Sequence, residues 1–412
     1  MNVGSVSAAR ISLALGLLAG VLSLASCGGG SSSSGTTNNP PPPVNNTQAV
    51  HVDMGPANTL PNGLFTDVTI CVPGTTNCQT IPNIQVDTGS EGLRILSSRI
   101  TLSLPQVTDN SSNALQECVS FADGSYVWGP VVTADIQLAG EKAASNPIQI
   151  ISATPPFPVP ADCASGGGQN QNSVAALGAN GLLGIGVFQQ DCGVACTSSS
   201  SQLPPVYYLC PSSFCSIASV PLTTQIQNPV WTFPRDNNGV LITLPSVPAD
   251  GAPSVSGSLI FGVGTQTDNA LGSAKVYTTD ANGNFQTTFS NNVAYTSFID
   301  SGSNGIFFLD PATLGIPNCV DNPSFYCPAS TANYTVTNKG ANGTTGPVSF
   351  SIANADALFN ANSGTNAAFN DLGGENPNNF DWGMPFFLGR NVFVGIENMT
   401  GPNSVIGPYW AY

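Results

Sequence analysis

Two segments of the chain carry an aspartate within nearly the same sequence. VDTGSEGLRIL surrounds Asp87, and IDSGSNGIFFL surrounds Asp300. Each copy has apolar strand residues, D-[ST]-G-S, another glycine and a second apolar run in the same order. One such tetrapeptide is a weak signal in a chain rich in Gly, Ser and Thr, whereas two copies with matching flanks indicate a pair. Two facing carboxylates can act as acid and base, because like charges at close range do not both ionise easily and the pair shares a proton.

A second repeated element follows each aspartate at a similar distance. It is GLLGIGVF, with Gly184, in the first half and PFFLGRNVF, with Gly389, in the second half. Two paired elements in the same order indicate an internal duplication. We therefore predict two lobes, residues 49–228 and residues 229–412.

The elements that position these motifs are predicted to be strands. Short runs rich in Val, Ile, Thr and Phe, bounded by Gly, Pro, Asn and Ser, recur along the chain and indicate a mainly β fold. No segment shows a long period of 3.6, so helices should be few and short, near Pro311 to Leu314 and near Asp356 to Asn360. About 365 residues in the folded part suit two lobes better than one small core.

Together these features resemble the pepsin-like aspartic protease family, and the likeness covers nearly the whole mature chain. In that family each lobe has a strand, D-[ST]-G-[ST] and, later, two apolar residues with glycine. The resemblance implies an all-β, bilobal fold, in which two pseudo-symmetric lobes bring Asp87 and Asp300 together in a central cleft as the catalytic pair. NPVWTFPRDNNGVLITLP followed by GSLIFGVG resembles the family segment that crosses into the second lobe.

The other residues of the two tetrapeptides are expected to support the pair. Each glycine permits a tight turn where a side chain would crowd the opposite lobe. The threonine or serine after each aspartate can hydrogen-bond across the pair, and the last serine can hold the outer carboxylate oxygens. These supporting residues are Thr88, Gly89, Ser90, Ser301, Gly302 and Ser303.

CVSFADGSYVWGPVVTADIQLAG resembles the flap hairpin of the family and the strand after it. Its tip contains Phe121, Asp123, Gly124 and Ser125. The family usually has a tyrosine where this chain has Phe121, and a tryptophan after the first motif that is also absent here. Phe121 would then act as an apolar lid that excludes water. For Arg94, also after the first motif, we predict a solvated strand position.

Apart from Cys27 the chain has ten cysteines, which suggests five disulfides in an exported protein. Cys71 with Cys78 and Cys319 with Cys327 are the expected pairs, because each would close a short loop between strands. The stretch from Cys192 to Cys215 reads as a disulfide-stapled insertion, with a role in partner choice as the alternative. The spacings are not of the C-x-x-C kind and His51 is the single histidine, so we expect no metal, no cofactor and no histidine-dependent nucleophile.

The N-terminus reads as an export signal. Arg10 precedes an uncharged apolar run that ends in Leu24-Ala25-Ser26-Cys27, too short for a spanning helix. The pattern resembles a bacterial lipobox, so residues 1–27 would be a lipoprotein signal peptide with Cys27 as the lipidated residue; an ordinary secretion signal is the alternative. Residues 28–48 read as a disordered Gly/Ser/Pro tether. We expect a lipid-anchored envelope protein, on the outer membrane by analogy, facing the periplasm or the outside.

Charge narrows the possible partners. The chain has 23 acidic and 8 basic residues and a net charge of -15, which argues against nucleic acid or an anionic lipid surface, since both need clustered Lys and Arg. The membrane would be reached through the N-terminal lipid only. The expected function is a monomeric aspartic endopeptidase that takes a polypeptide in the cleft; the alternative is a non-catalytic or highly restricted binding protein of the same fold.

Overall fold

Most of the regular secondary structure is β-strand, as the sequence predicted. The computed structural model describes residues 45–211 and 214–412. The predicted signal peptide, Cys27 and most of the predicted tether lie outside those residues. The tether was predicted to end at residue 48, but the first strand already begins at Thr47. Among the described residues, no helix is long and apolar enough to cross a membrane.

The strands are short and follow each other closely in both halves. Those of the first half are β1 (Thr47–Asp53), β2 (Gly63–Cys71), β3 (Cys78–Asp87), β4 (Glu91–Leu96), β5 (Ala114–Ser120), β6 (Tyr126–Leu138), β7 (Glu141–Ile151), β8 (Gly181–Ile185), β9 (Tyr207–Cys210) and β10 (Ser216–Ile217). Those of the second half are β11 (Gly239–Thr243), β12 (Val255–Phe261), β13 (Val276–Thr278), β14 (Phe285–Thr288), β15 (Ala294–Ile299), β16 (Ile306–Leu309), β17 (Ala332–Lys339), β18 (Thr345–Ile352), β19 (Gly373–Gly374), β20 (Asn376–Trp382), β21 (Asn391–Gly395) and β22 (Tyr409–Ala411).

Helices are few and short in the described residues. The α-helices are α1 (Val174–Leu177), α2 (Pro311–Leu314) and α3 (Ala355–Asn360). The 3-10 helices are Ser97–Arg99, Gly193–Cys196, Val230–Thr232, Ala361–Gly364, Met384–Phe386 and Pro402–Ser404. The two helices predicted from the sequence are therefore confirmed as α2 and α3. Each of these two starts at a side-chain cap, from Asp310 or Asn354, which accepts a backbone N–H of the first turn.

The first half closes into a barrel. Its strands pair in the ring β2, β3, β8, β4, β7, β6 and back to β2. Apolar side chains on alternate strand positions point inward, among them Val68, Ile84, Leu93 and Leu183, which are 0% exposed. Closure leaves the strands around Asp87 without a free edge and so holds them firmly.

The second half forms an open sheet in the order β18, β17, β14, β15, β20, β16, β19. Its core is aromatic: the ring of Phe308 lies 5.3 Å from that of Phe350 and 4.9 Å from that of Phe380. Phe380 in turn lies 4.5 Å from Trp382. Such pairs add to the stabilisation from burial alone, and they fix β20 beside β15 and β16.

A third group of strands joins the two halves. β1 pairs with β2 of the first half and with β12 of the second half, and the sheet continues through β11, β21, β22 and β13. The side chain of Asn62 adds a further link, because its amide donates to the carbonyls of Asn304 and Phe369 and accepts the Phe369 N–H. The lobe boundary at residue 228 stays a prediction, and it falls in the connection between β10 and β11.

Five disulfides join the ten cysteines. The predicted pairs Cys71–Cys78 and Cys319–Cys327 are confirmed. Two more, Cys192–Cys196 and Cys210–Cys215, close short loops in the segment that was predicted to be a disulfide-stapled insertion. The fifth, Cys118–Cys163, links β5 to the loop before α1.

Candidate active site

Each aspartate lies at the end of a strand that has a parallel neighbour. Asp87 is the last residue of β3 and pairs with Gly184 of β8. Asp300 directly follows β15, whose parallel neighbour is β20. Both aspartates are 0% exposed. The same local topology therefore occurs once in each half. It places the two carboxyls where the two halves meet.

The expected second-half counterpart of GLLGIG was PFFLG, with Gly389, and that prediction is wrong. Ile299 of β15 pairs with Trp382 of β20, which puts Gly383 beside the aspartate that follows. The counterpart is therefore FDWG, six residues earlier in the chain than the predicted FFLG. PFFLG matches the apolar pattern, but Met384–Phe386 form a 3-10 helix there rather than a strand.

The two carboxyls have the same local hydrogen bonds. In each motif the glycine N–H donates to Oδ1 of the aspartate, and the last serine hydroxyl contacts Oδ2. The distances are 2.8 Å for Gly89 N to Asp87 Oδ1, 2.5 Å for Ser90 Oγ to Asp87 Oδ2, 2.7 Å for Gly302 N to Asp300 Oδ1 and 2.8 Å for Ser303 Oγ to Asp300 Oδ2. Each carboxyl is thus held in one orientation by its own turn.

Thr88 and Ser301 bind across the pair in a reciprocal arrangement. The Thr88 hydroxyl donates to the carbonyl of Ile299 at 3.0 Å and accepts the Ser301 N–H at 2.9 Å. The Ser301 hydroxyl donates to the carbonyl of Val86 at 2.8 Å and accepts the Thr88 N–H at 3.1 Å. Four buried hydrogen bonds therefore fix the two aspartate turns against each other.

The two glycines make room for the opposite carboxyl. A Cβ added at Gly89 would lie 2.7 Å from Cγ of Asp300, and one added at Gly302 would lie 2.6 Å from Oδ1 of Asp87. Neither distance is compatible with a side chain. The pKa of Asp300 is raised well above its ordinary range, first by burial, then by the charge of Asp87, with which it is also hydrogen-bonded. The two carboxyls are therefore in direct contact and electrostatically coupled.

A third buried carboxyl, from Asp381, lies next to the pair and was missed by the sequence analysis. It is 1% exposed, and its Oδ2 lies 2.7 Å from Oγ of Ser303. Burial raises its pKa to about 8. An acidic residue inside the apolar strand segment FDWG is the signal that could have revealed it, once FDWG rather than PFFLG was matched to GLLGIG.

Glu91 is a fourth acid in this region. Its Oε1 accepts the N–H of Phe188 at 3.3 Å. Burial is the largest cause that raises its pKa to about 8, and the neighbouring charge of Asp87 raises it further. From the sequence, the only feature expected here was the absence of the tryptophan that is common after the first motif in pepsin-like proteases. The site is therefore surrounded by groups that favour a proton over a negative charge.

Arg94 is buried, so the prediction of a solvated strand position is wrong. It is 1% exposed, and its Nη2 lies 2.6 Å from Oε1 of Glu117 and 3.2 Å from Oδ2 of Asp191. The hydroxyl of Tyr207 donates to the other oxygen of Asp191 at 2.7 Å and accepts the N–H of Ile226 at 2.6 Å. The guanidinium is buried because two carboxylates from distant parts of the sequence surround it.

The predicted flap is a β-hairpin of β5 and β6. Its turn is closed by hydrogen bonds between Phe121 and Ser125 and between Phe121 and Gly124, and Oδ1 of Asp123 accepts the N–H and hydroxyl of Ser125. Phe121 is 6% exposed and belongs to an apolar cluster of the first half that also contains Leu182. Its ring therefore packs into the lobe.

The tip of this hairpin is held by a neighbouring loop. The N–H of Gly168 donates to the carbonyl of Gly124 at 3.0 Å, and the N–H of Tyr126 donates to the carbonyl of Gln169 at 3.0 Å. A Cβ at Gly168 would lie 2.4 Å from the backbone of Gly124. Since Cys118–Cys163 also joins the hairpin to this loop, hairpin and loop form one unit.

Other groups that could bind a ligand lie away from the pair. In the described residues, Cys319, Cys327 and Asp356 are the group with metal-ligand spacing, but the two cysteines form a disulfide and offer no thiolate. A surface groove in the second half is lined by Asp371 and Arg390, among others, and burial raises the pKa of Asp371 to about 6.

Comparison with known proteins supports this description of the fold. The crystal structure of an aspartic proteinase from Irpex lacteus is similar with a TM-score of 0.51 and 14% sequence identity, over 89% of this chain and 96% of that one. Fold and site together define a protein with the bilobal, pepsin-like aspartic proteinase fold. The chain belongs to the family described as a protein of unknown function (DUF3443), whose model matches residues 42–412. No curated protein matches the chain in sequence.

Proposed function

We propose that the protein is an aspartic endopeptidase in which Asp87 and Asp300 activate a water molecule between the lobes. The observation that carries this proposal is the near-identical set of hydrogen bonds around the two carboxyls, together with the two glycines that leave space for their contact. A chance encounter of two acidic turns would not produce matched donors on both sides. Thr88 and Ser301 would hold the relative position of the two halves of the site.

The chemistry requires one proton on the pair. Asp300 is the acid that retains it, because burial and the charge of Asp87 raise the pKa of Asp300. Asp87 then takes a proton from water while the water oxygen adds to the carbonyl carbon, and Asp300 gives its proton to the carbonyl oxygen. The product of this first step is a tetrahedral diol. In the second step the C–N bond breaks as the amine nitrogen takes a proton from Asp87, and Asp300 recovers a proton from one hydroxyl of the diol. The products are a carboxylic acid and an amine, and the pair is restored.

The substrate in this proposal is a polypeptide that lies in the cleft between the lobes. Neither water activation nor carbonyl polarisation requires a cofactor. We further propose that the protein acts in the cell envelope, lipid-anchored through Cys27 on the outer membrane and monomeric. The sequence pattern at residues 10–27 supports this location.

A second candidate function is a pepsin-fold binding protein with no turnover or with one very restricted substrate. The hairpin tip supports it, because bonds to Gly168 and Gln169 and the Cys118–Cys163 disulfide limit how far the hairpin can open. The absent tyrosine hydroxyl at Phe121 points the same way.

The test is cleavage of an unfolded protein substrate between pH 3 and pH 7 by the full-length protein, purified in detergent. Asp87→Asn and Asp300→Asn should each lower the rate by at least about 10³-fold, because each removes one of two groups that act as a unit. Asp67→Asn, at an exposed position of β2, is the matched control and should keep the rate of the parent.

Inhibition by pepstatin would add independent support for the pair. If the correctly folded, disulfide-bonded parent protein cleaves nothing across this pH range, the general endopeptidase is excluded. Binding to candidate envelope proteins would then test the second candidate.

A further inference from the structure

Asp381 has no acidic counterpart in the first lobe, although the strands that carry the two positions are equivalent. In the first lobe β4 pairs with β8, and Arg94 lies opposite Leu182. In the second lobe β16 pairs with β20, and Phe307 lies opposite Asp381. The side chain of Leu182 packs in an apolar cluster. An acid at the matching position, in the core beside the pair, calls for a specific explanation, because an isolated buried charge is strongly unfavourable.

The hydrogen bonds around Ser303 limit where protons can be. Its Oγ lies 2.8 Å from Oδ2 of Asp300 and 2.7 Å from Oδ2 of Asp381. One hydroxyl has one proton and cannot donate fully to two carboxylates. If Ser303 donates to Asp300, then Asp381 must carry a proton and donate it to Ser303; in the reverse direction the proton is on Asp300. Either way the two carboxyls and the hydroxyl form a chain with one added proton.

The surroundings of Asp381 favour that proton. Its Oδ1 is buried without a hydrogen-bond partner among the described residues, and no ion pair joins it to a cation in this part of the chain. Among residues 45–211 and 214–412, the charged groups that act on Asp381 are Asp300 and Asp87. In the adjoining strands β15 and β16, Tyr295 is the titratable side chain, and its hydroxyl is bonded to Asn291 at the surface.

We propose that Asp381 is a positioning residue that shares a proton with Asp300 through Ser303, so that the catalytic pair keeps its proton to a higher pH than a two-carboxyl site would. This inference rests on the proposed endopeptidase function. The physical reason is that the last proton of a three-carboxyl set lies beside two negative charges, whereas the last proton of a pair lies beside one. A second neighbouring charge holds the proton more tightly.

Asp381→Asn separates charge from shape. The amide of asparagine can donate to Ser303 as a protonated Asp381 does, but it cannot become negative. In the pH profile of kcat/KM, the alkaline limb of the variant should move to lower pH by about one unit. On that limb kcat/KM should therefore fall about tenfold, while the acid limb stays unchanged.

Asp381→Leu copies the first lobe at the equivalent position. It should show the same shift of the alkaline limb and, in addition, a kcat lower by about five- to tenfold, because Ser303 loses the donor that orients its hydroxyl. Coinciding alkaline limbs for the parent and Asp381→Asn would overturn the proposal, whatever the leucine variant does.

A second measurement does not depend on activity. The thermal unfolding midpoint is followed from pH 4 to pH 8 for the parent, Asp381→Asn, Asp300→Asn and the double variant. If Asp381 and Asp300 share a proton, Asp381→Asn should lose less stability than the parent as the pH rises. The same substitution should change this pH dependence less when Asp300 is already asparagine. Additive effects would show two independent acids and reject the shared proton.

The two measurements separate the two proposals. A parent protein that is inactive at every pH but shows the non-additive pH dependence would reject the endopeptidase and retain the shared proton. An active parent with additive pH dependence and coinciding profiles would retain the endopeptidase and reject the role of Asp381.

Discussion

The two copies of the aspartate motif make the same hydrogen bonds to their carboxyls but differ in the side chains one layer further out. The register of β4 with β8 and of β16 with β20 aligns the two copies. The positions that differ most in charge, first lobe against second, are Glu91 against Asn304, Arg94 against Phe307 and Leu182 against Asp381.

These differences give the lobes different properties. In the first lobe the buried cation Arg94 ties the strand after the aspartate to the hairpin through Glu117 and, through Asp191, to the segment just before the disulfide-bearing insertion. In the second lobe the equivalent strand packs by aromatic contacts, and the neighbouring strand buries the acid Asp381. Ion pairs therefore tie the first copy to two other segments, whereas burial raises the pKa of two acids in the second copy, Asp300 and Asp381.

The largest expected effect comes from removing the cation of the first lobe. Arg94→Met leaves Glu117 and Asp191 buried without their partner, and should lower the free energy of unfolding at pH 7 by about 3–5 kcal/mol. Urea denaturation at pH 7 measures the loss.

The matched control is Phe307→Met at the equivalent position of the second lobe, which changes packing and no charge. It should lower the free energy of unfolding by about 1 kcal/mol under the same conditions. Equal losses for the two variants would contradict the comparison between the lobes.

The next effect tests the part that the lobes share. Thr88→Val leaves the Ile299 carbonyl and the Ser301 N–H buried without partners, which should lower the free energy of unfolding by about 2–3 kcal/mol. Ser301→Ala removes the reciprocal pair of bonds and should have a loss of similar size. Urea denaturation of both variants checks this symmetry. The control is Thr335→Val, at an exposed position of β17, which should change the free energy of unfolding by close to zero. Clearly unequal losses would show that the cross-lobe contacts are not equivalent.

The smallest expected effect concerns Glu91, the acid that has asparagine as its counterpart. Its pKa of about 8 in the fold lies above the value near 4.3 of an unfolded glutamate. The folded state therefore binds more protons between these values, and stability falls as the pH rises through that window.

Glu91→Gln removes this dependence and keeps an acceptor for the Phe188 N–H. The variant should match the parent at pH 4 and exceed it at pH 8, in urea denaturation at the two pH values. The difference should be about 2 kcal/mol, which is less than the full pKa shift corresponds to, because Glu91 is only half-buried. A constant difference at both values would mean that the change in stability does not come from ionisation.

Local sequence was enough for the inner layer of the site. The contacts that the six supporting residues make with the two aspartates and with the opposite turn follow from D-[ST]-G-S, because they are made within one turn or between two copies of the same turn. The short helices were also predictable, since each begins at a capping residue before a brief apolar segment. The disulfides Cys71–Cys78 and Cys319–Cys327 close loops of few residues, so spacing alone indicated them.

The outer layer was not predictable because its contacts are distant in sequence. Arg94 and Asp191 are separated by 97 positions, and nothing near Arg94 shows that a carboxylate will cover it. Asp381 was missed for a different reason. The segment between the aspartate and the strand parallel to its own, β8 or β20, differs in length in the two lobes. The pattern of apolar residues followed by glycine was therefore matched to PFFLG and not to FDWG.

The first strand has a consequence for how the protein is made. β1 has seven residues and lies between β2 and β12, so one of its edges stays unpaired until residues 255–260 have left the ribosome. The first lobe is therefore complete only when β12 of the second lobe has been synthesised, although all strands of the barrel precede β12 in the sequence. A chain truncated near residue 228 would expose a strand edge that can pair with any similar fragment. Incomplete products of this gene should accordingly associate with each other, and the two lobes depend on one another in biogenesis as well as in the site.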